Sequence, residues 1–593
     1  MTKSGPSTVS HAGFTRRTML KTALITGAGL TVAPWISRTA AEIPPLMKYV
    51  SPLRIPHVAQ PRYREDGAAY YRIEMAEFRR KVHPDLPPTT LWGYDGAWPG
   101  PTFETRTGHP INVQWVNSLP DRHLLDEAYD TTIHGADLGE PRVRTVVHLH
   151  GAKLLPDSDG YPEAWFTRDW QKTGPFFTTK VYHYPNDQEA SNLWYHDHSL
   201  GIVRLNVFAG LAGFYFIRDE FEDDLNLPRG RYEVPLLIQD RIFGADGSLQ
   251  YPTVTDGTHE VWIPEFFGDV ACVNGRAFPY LEVEPRKYRF RLLNGSNSRF
   301  YHLTLVDGAG KPGPVFDQIG TDGGLLPAPV QLSDLLIAPA ERFDLIVDFA
   351  GAMGKSFKLV NDAPAPFPGG GETDLPEIMQ FRVAKPLAGR DTSSLPHRLK
   401  PISQLPAAAA VKERFIMLSE ADRDSDGFPI MGELGGSPLD ATTINPTGGG
   451  RWDDAVTEGP RAGAIEIWNL VNTTTDAHPI HLHLVQFQIL ERRHFDLPRF
   501  NDTGEVSLTG QPIPPALDEW PAYKDTVKAL PGLDNDGNVI GLVTRVIAKF
   551  DLPKGTRMRA GQKYRYVYHC HILEHEDSEM MRPFDVVGSD AWS

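Results

Sequence analysis

Apolar residues along this chain fall in short runs closed off by Gly, Pro and Asn turns. In Arg144-Thr-Val-Val-His-Leu-His150 and in Tyr564-Arg-Tyr-Val-Tyr-His-Cys-His571 the residues are mainly β-branched or aromatic. Such segments predict strands, in which alternate side chains share a face. Runs of this kind recur through most of the sequence and point to Greek-key sandwiches or barrels. The 53 glycines and 51 prolines agree, because frequent turns leave little room for long helices. A chain of 593 residues is too long for one core, so three or four domains are expected.

The first 41 residues break the pattern. Thr15-Arg16-Arg17-Thr18-Met19-Leu20-Lys21 carries a twin-arginine pair and leads into a weakly apolar run from Thr22 to Ile36. Gly27 and Gly29 interrupt that run, and Pro34, Ala40 and Ala41 close it. It falls short of the ~20 strongly apolar residues that span a bilayer, so residues 1–41 are expected to be a twin-arginine export signal. The destination would be periplasmic or extracellular, with no stable membrane insertion. The net charge of −16 repels phosphate backbones and argues against nucleic acid as a partner. Only two cysteines are present. Cys570 sits between two histidines, where a thiolate is better explained as a metal ligand than as half of a disulfide. Cys272 is then expected to be a buried, inert thiol.

The histidines carry the strongest signal. Four His-x-His pairs occur: His148 with His150, His196 with His198, His481 with His483, and His569 with His571. Random placement of 21 histidines would give about 0.7 such pairs, so composition does not account for four. On a strand, both imidazoles of a pair point the same way. Eight of them could enclose metal ions, and imidazole suits copper, zinc, iron or nickel. A second set, His478, Cys570 and His575 with Met580 following, has the composition of a blue copper electron-transfer site. Cys570 faces opposite to His569 and His571, so one tripeptide connects the two sites.

Four motifs resemble those of the multicopper oxidase family: His-Leu-His-Gly151, Trp194-Tyr-His-Asp-His-Ser199, His478-Pro-Ile-His-Leu-His483 and His569-Cys-His-Ile-Leu-Glu-His575. Within the family the similarity is to the branch of bacterial spore-coat laccase, phenoxazinone synthase and bilirubin oxidase. It extends through Leu86-Pro-Pro-Thr-Thr-Leu-Trp-Gly-Tyr94 and Pro279-Tyr-Leu-Glu-Val-Glu-Pro285. The resemblance implies an all-β fold of three Greek-key cupredoxin domains and four copper ions. It assigns His478, Cys570, His575 and Met580 to a type 1 copper, and His148 and His481 to a type 2 copper. It assigns His150, His196 and His571 to one type 3 copper, and His198, His483 and His569 to the other. Asp159 and Glu576 match positions that the family uses near the oxygen-reducing centre, and four-electron reduction of dioxygen to water needs carboxyls to relay protons. Residue chemistry alone would make Asp159 a turn residue and Glu576 a solvated loop charge. Asp197 is expected to face away from the metals.

The expected organisation is domain 1 over residues 48–228 with the first two histidine pairs, domain 2 over 229–396 without ligands, and domain 3 over 397–593 with the remainder. Leu395 to Ala410 reads as the linker before domain 3. The implied activity is that of a laccase-like oxidase taking electrons from phenolic or aminophenolic donors. The alternatives are a cuprous-ion oxidase, disfavoured because the 11 methionines are scattered, and a copper-binding coat or storage protein with little turnover. An isolated electron carrier would have no use for eight paired imidazoles. The sequence sets neither the physiological donor nor the oligomeric state.

Overall fold

The computed structural model describes residues 45–253, 261–422, 429–436 and 451–588. The expected export signal lies outside the described residues. Six β-sheets form three consecutive pairs along the chain: five and four strands within residues 63–218, seven and five within 233–383, six and four within 412–587. The α-helices among the described residues are only four to seven residues long. None is long and apolar enough to cross a membrane.

Alternation builds the sandwiches. In strand Ala68–Arg80 the side chains of Tyr71, Ile73 and Met75 are buried while Arg72 and Glu74 between them are half-buried, so one face meets the facing sheet. Each of the three units contains the same parallel pairing of strands distant in sequence. Ala68–Arg80 pairs with Ile111–Asn117, Glu233–Arg241 with Lys287–Asn294, and Lys412–Asp422 with Ile465–Asn472. Parallel neighbours require a crossover connection. The repetition makes the three units variants of one plan.

The units share apolar core: one cluster of buried residues runs from Leu53 to Val586 and draws on all three. Buried polar contacts complete the seams. Tyr566 of the third unit donates its hydroxyl to the Leu154 carbonyl of the first at 2.9 Å. The Asp577 carboxylate accepts from the backbone N–H groups of Val203 and Arg204 and from the Arg204 guanidinium at 2.9–3.0 Å. Fully buried and multiply bonded, this pair fixes the first unit against the third.

Candidate metal centre

Two strand pairs carry five of the eight paired histidines, and His198, His483 and His571 follow directly on the strand ends at Asp197, Leu482 and Cys570. Val147–His150 runs antiparallel to Ser191–Asp197, with His148 opposite His196. In the third unit, His478–Leu482 runs antiparallel to Lys563–Cys570, with His481 opposite His569 and Ile480 opposite Cys570. The two pairs meet face to face. The His148 and His483 rings stack with centroids 3.7 Å apart, and those of His150 and His481 at 3.6 Å. All eight paired histidines are buried. The ligand atoms of His150, His196 and His571 lie within 4.8 Å of one another, as do those of His198, His483 and His569. The same holds for His148, His150 and His481.

The outer nitrogens of these rings are tied down. His148 Nδ1 donates to the Asp159 carbonyl at 2.6 Å, His196 Nδ1 to the Asp197 carbonyl at 2.8 Å, and His481 Nδ1 to the Asp525 carbonyl at 2.8 Å. His483 Nδ1 donates to Asp159 Oδ2 at 2.7 Å. The Nε2 atoms of those four rings are buried and have no protein partner. Polar atoms in that state are costly unless something occupies the space between them. Burial is the main cause that pulls the imidazole pKa values down, to about 3 for His196 and His481 and far below the usual value for His148, His150, His198, His483 and His571. Neutral rings whose outer Nδ1 is the donor, as in His148, His196, His481 and His483, turn a lone pair inward, which is the state that binds a transition metal.

The second site lies on the other side of the same strand. Cys570 Sγ is 3.7 Å from Nδ1 of both His478 and His575, and the three are buried together. Thr474 Oγ1 lies 2.8 Å from His478 Nε2, which leaves Nδ1 for a ligand. Burial lowers the His478 pKa to about 4. Met580 is buried beside the set, its carbonyl accepting from the Cys570 N–H at 2.9 Å and its own N–H donating to the His575 carbonyl at 2.9 Å. Two imidazoles and a thiolate around one point fit copper.

Asp159 and Glu576 both stand against the cluster. Asp159 touches His483 as above, and Glu576 Oε2 lies 3.0 Å from His569 Nδ1, with Oε1 3.5 Å from His198 Nδ1. Both are buried, and burial raises both carboxyl pKa values. The side chain of Asp197 turns away, accepting from Asn206 Nδ2 at 2.8 Å and from the backbone N–H groups of Ser199 and Val146. Its burial raises its pKa to about 7. Cys272 is buried and unpaired, its thiol pushed up to about 12 by burial. Among the described residues, histidines outside the two sites are satisfied locally or exposed. His83 contacts the Met47 carbonyl, His302 bridges Asp334 and Asp362, His494 meets the Gly541 carbonyl, and His57 is exposed.

Sequence reasoning missed Asp525, Arg342 and Thr474. Thr474 lies four residues before His478, but Asp525 reaches His150 across 375 positions and Arg342 reaches Asp525 across 183. No local spacing announces such contacts.

A paired-sheet protein with a thiolate–imidazole site wired by one tripeptide to an imidazole cluster is, as a class, an electron-transferring metalloprotein. Family models described as multicopper oxidase match residues 140–222, 434–534 and 555–590. A laccase of Bacillus stratosphericus is 47% identical over 91% of this chain and 99% of its own length. A laccase of Bacillus subtilis (strain 168) is 45% identical over 91% and 99%. Among solved structures, a multicopper oxidase variant from the hyperthermophile Aquifex aeolicus superposes with a TM-score of 0.65 at 27% identity, covering 91% of this chain and 99% of that one. The chain belongs to the multicopper oxidase family, with that family's cupredoxin-like all-β fold. It is a laccase-like, copper-dependent oxidoreductase with dioxygen as its acceptor.

Proposed function

We propose that the chain holds four copper ions and couples one-electron oxidation of phenolic or aminophenolic donors to reduction of dioxygen to water. His478, Cys570, His575 and Met580 would hold the type 1 ion, and His148 and His481 the type 2 ion. His150, His196 and His571 would hold one type 3 ion, and His198, His483 and His569 the other. Copper bound there would supply one-electron chemistry at the first site and oxygen reduction at the second. The observation that carries the reading is the set of buried, partnerless imidazole nitrogens converging from two strand pairs, one of which also bears Cys570.

The protein's own groups perform the rest. Cys570 is bonded through its backbone directly to His569 and His571, so a covalent path joins the two ligand sets. Burial of every group in both sets excludes bulk water from them. Glu576 and Asp159 are the buried carboxyls that would relay protons at the cluster edge, Glu576 Oε2 lying 3.0 Å from His569 Nδ1 and Asp159 Oδ2 accepting from His483 Nδ1 at 2.7 Å. Residues 1–41, with Arg16 and Arg17, would export the chain by the twin-arginine route to the periplasm or the exterior.

The test is a visible and near-ultraviolet spectrum of copper-loaded protein, with oxygen uptake followed on adding a phenol. A blue thiolate band, a near-ultraviolet shoulder and donor-dependent uptake are expected. A colourless loaded protein would refute the assignment of Cys570, and a blue protein that consumes no oxygen would refute the oxidase reading.

A further inference from the structure

His150 is turned the opposite way from His148, His196, His481 and His483. Those four use Nδ1 outward and leave Nε2 facing in. His150 uses Nε2 outward, 3.1 Å from Asp525 Oδ1 and 3.1 Å from Thr526 Oγ1, while its buried Nδ1 has no partner. A neutral imidazole carries one proton, and whichever nitrogen holds it cannot also ligate. The ring is useful to the cluster only if its proton is kept on Nε2.

Asp525 is placed to keep it there. As a carboxylate it is an acceptor only, so the ring nitrogen facing it must be the donor. It also has little freedom to move. The Arg342 guanidinium grips it as a fork, Nη1 donating to Oδ1 at 2.7 Å and Nη2 to Oδ2, and all three residues are fully enclosed. Arg342 is fixed in turn by the Asn192 carbonyl at 2.9 Å and, through its own N–H, by Asp322 at 2.8 Å. Space for the fork exists because residue 151 is glycine. A Cβ there would lie 2.3 Å from Asp525 Oδ2 and 2.8 Å from Arg342 Nη2, and the backbone already sits at a φ of +85°. The grip thus joins all three units, and the middle one, which supplies no ligand, reaches the cluster through Arg342.

Resting on the copper reading above, we propose that Asp525, clamped by Arg342, is a positioning residue that fixes His150 in the tautomer presenting Nδ1 to the cluster. Stability alone is a weak reason for this arrangement, since a buried ion pair is often no better than a well-packed apolar pair. Groups that orient a metal ligand typically account for 10–100-fold in metal affinity.

The experiment compares wild-type holoenzyme with Asp525→Asn, which keeps the shape, and Arg342→Lys, which keeps a cation but loses the fork. Each is loaded with Cu(II) and titrated with a chelator while the blue band, the near-ultraviolet shoulder and total copper per chain are followed. For Asp525→Asn the cluster copper and the shoulder should be lost at ~10–100-fold lower chelator activity, with the blue band per chain unchanged. Arg342→Lys should fall between it and wild type, and decides the matter if Asp525→Asn does not fold. Wild-type chelator resistance in the variants would overturn the proposal, as would loss of both bands together with the melting temperature. A wild-type protein with the blue band but no cluster copper would instead defeat the underlying reading, and the proposal with it.

Discussion

His123 is buried with both ring nitrogens occupied: Nε2 lies 3.1 Å from Asn206 Oδ1, and Nδ1 accepts from the Leu125 N–H at 3.0 Å. A second ring proton would face that N–H, and burial pulls the pKa down to about 4. The sign follows from proton uptake. Above pH ~6.5 the residue is neutral whether the chain is folded or not, so its contribution is constant. Below that, the unfolded chain takes up a proton that the folded one refuses, and stability falls as the pH drops until the folded form also protonates near pH 4. The loss amounts to ~1.4 kcal/mol per pH unit, on the order of 3 kcal/mol across the window. His123→Gln, which cannot titrate, should show a shallower fall in urea midpoint between pH 6.5 and 4.5 when both proteins are copper-loaded. Parallel profiles would mean that His123 charges in the folded state. At this scale the sequence is legible where chemistry repeats locally, as in the four His-x-His pairs, although only His148 and His150 lie wholly within one strand and the other three pairs straddle a strand end. It is silent on Asp525 and Arg342, whose importance arises only when three sheets meet.

At the scale of elements, Asp159-Gly160 reads as a turn in the sequence, and the structure shows what the turn is for. The short helix Pro156–Asp159 ends at Gly160, which has a φ of +87°. A Cβ there would lie 2.3 Å from the Val147 carbonyl oxygen and 2.7 Å from His148 Cα. The glycine thus lets the helix end sit directly on the strand bearing His148, with the Asp159 carbonyl on His148 and its carboxylate on His483. Gly160→Ala should cost ~1–3 kcal/mol for the backbone alone and more for the clash, and should loosen cluster copper before the blue band. Gly108→Ala is the control, since Gly108 has a φ of +72° with nothing within 4 Å of a built Cβ. Chemical denaturation of the two variants should separate them by at least ~1 kcal/mol; equal costs would show that close approach at residue 160 is unimportant. Strand character was likewise readable from alternation. The parallel partnership of Ala68–Arg80 with Ile111–Asn117 was not, because that register is set by two sheets packing together.

For the whole molecule, the two ligand sets differ in reach. His478, Cys570 and His575 all belong to the third unit, so metal there ties nothing to its neighbours. The triads His150–His196–His571 and His198–His483–His569 each take residues from the first and third units, and even the nearest such pair, His198 and His483, is separated by 483 − 198 = 285 positions in sequence. Metal at the cluster therefore cross-links the chain and binds only the assembled form, so it adds stability by mass action, ~2.7 kcal/mol at a hundredfold excess over its dissociation constant. Thermal denaturation of three forms separates the contributions: metal-free wild type, fully loaded wild type, and Cys570→Ser loaded with copper. Cys570→Ser should lose the blue band yet keep most of the gain in melting temperature, because the ions that bridge the units are still bound. If the gain disappears with the blue band, the stabilising metal is the one inside the third unit. The seam between first and third units would then rest on protein contacts such as Arg204 with Asp577 and the shared apolar core.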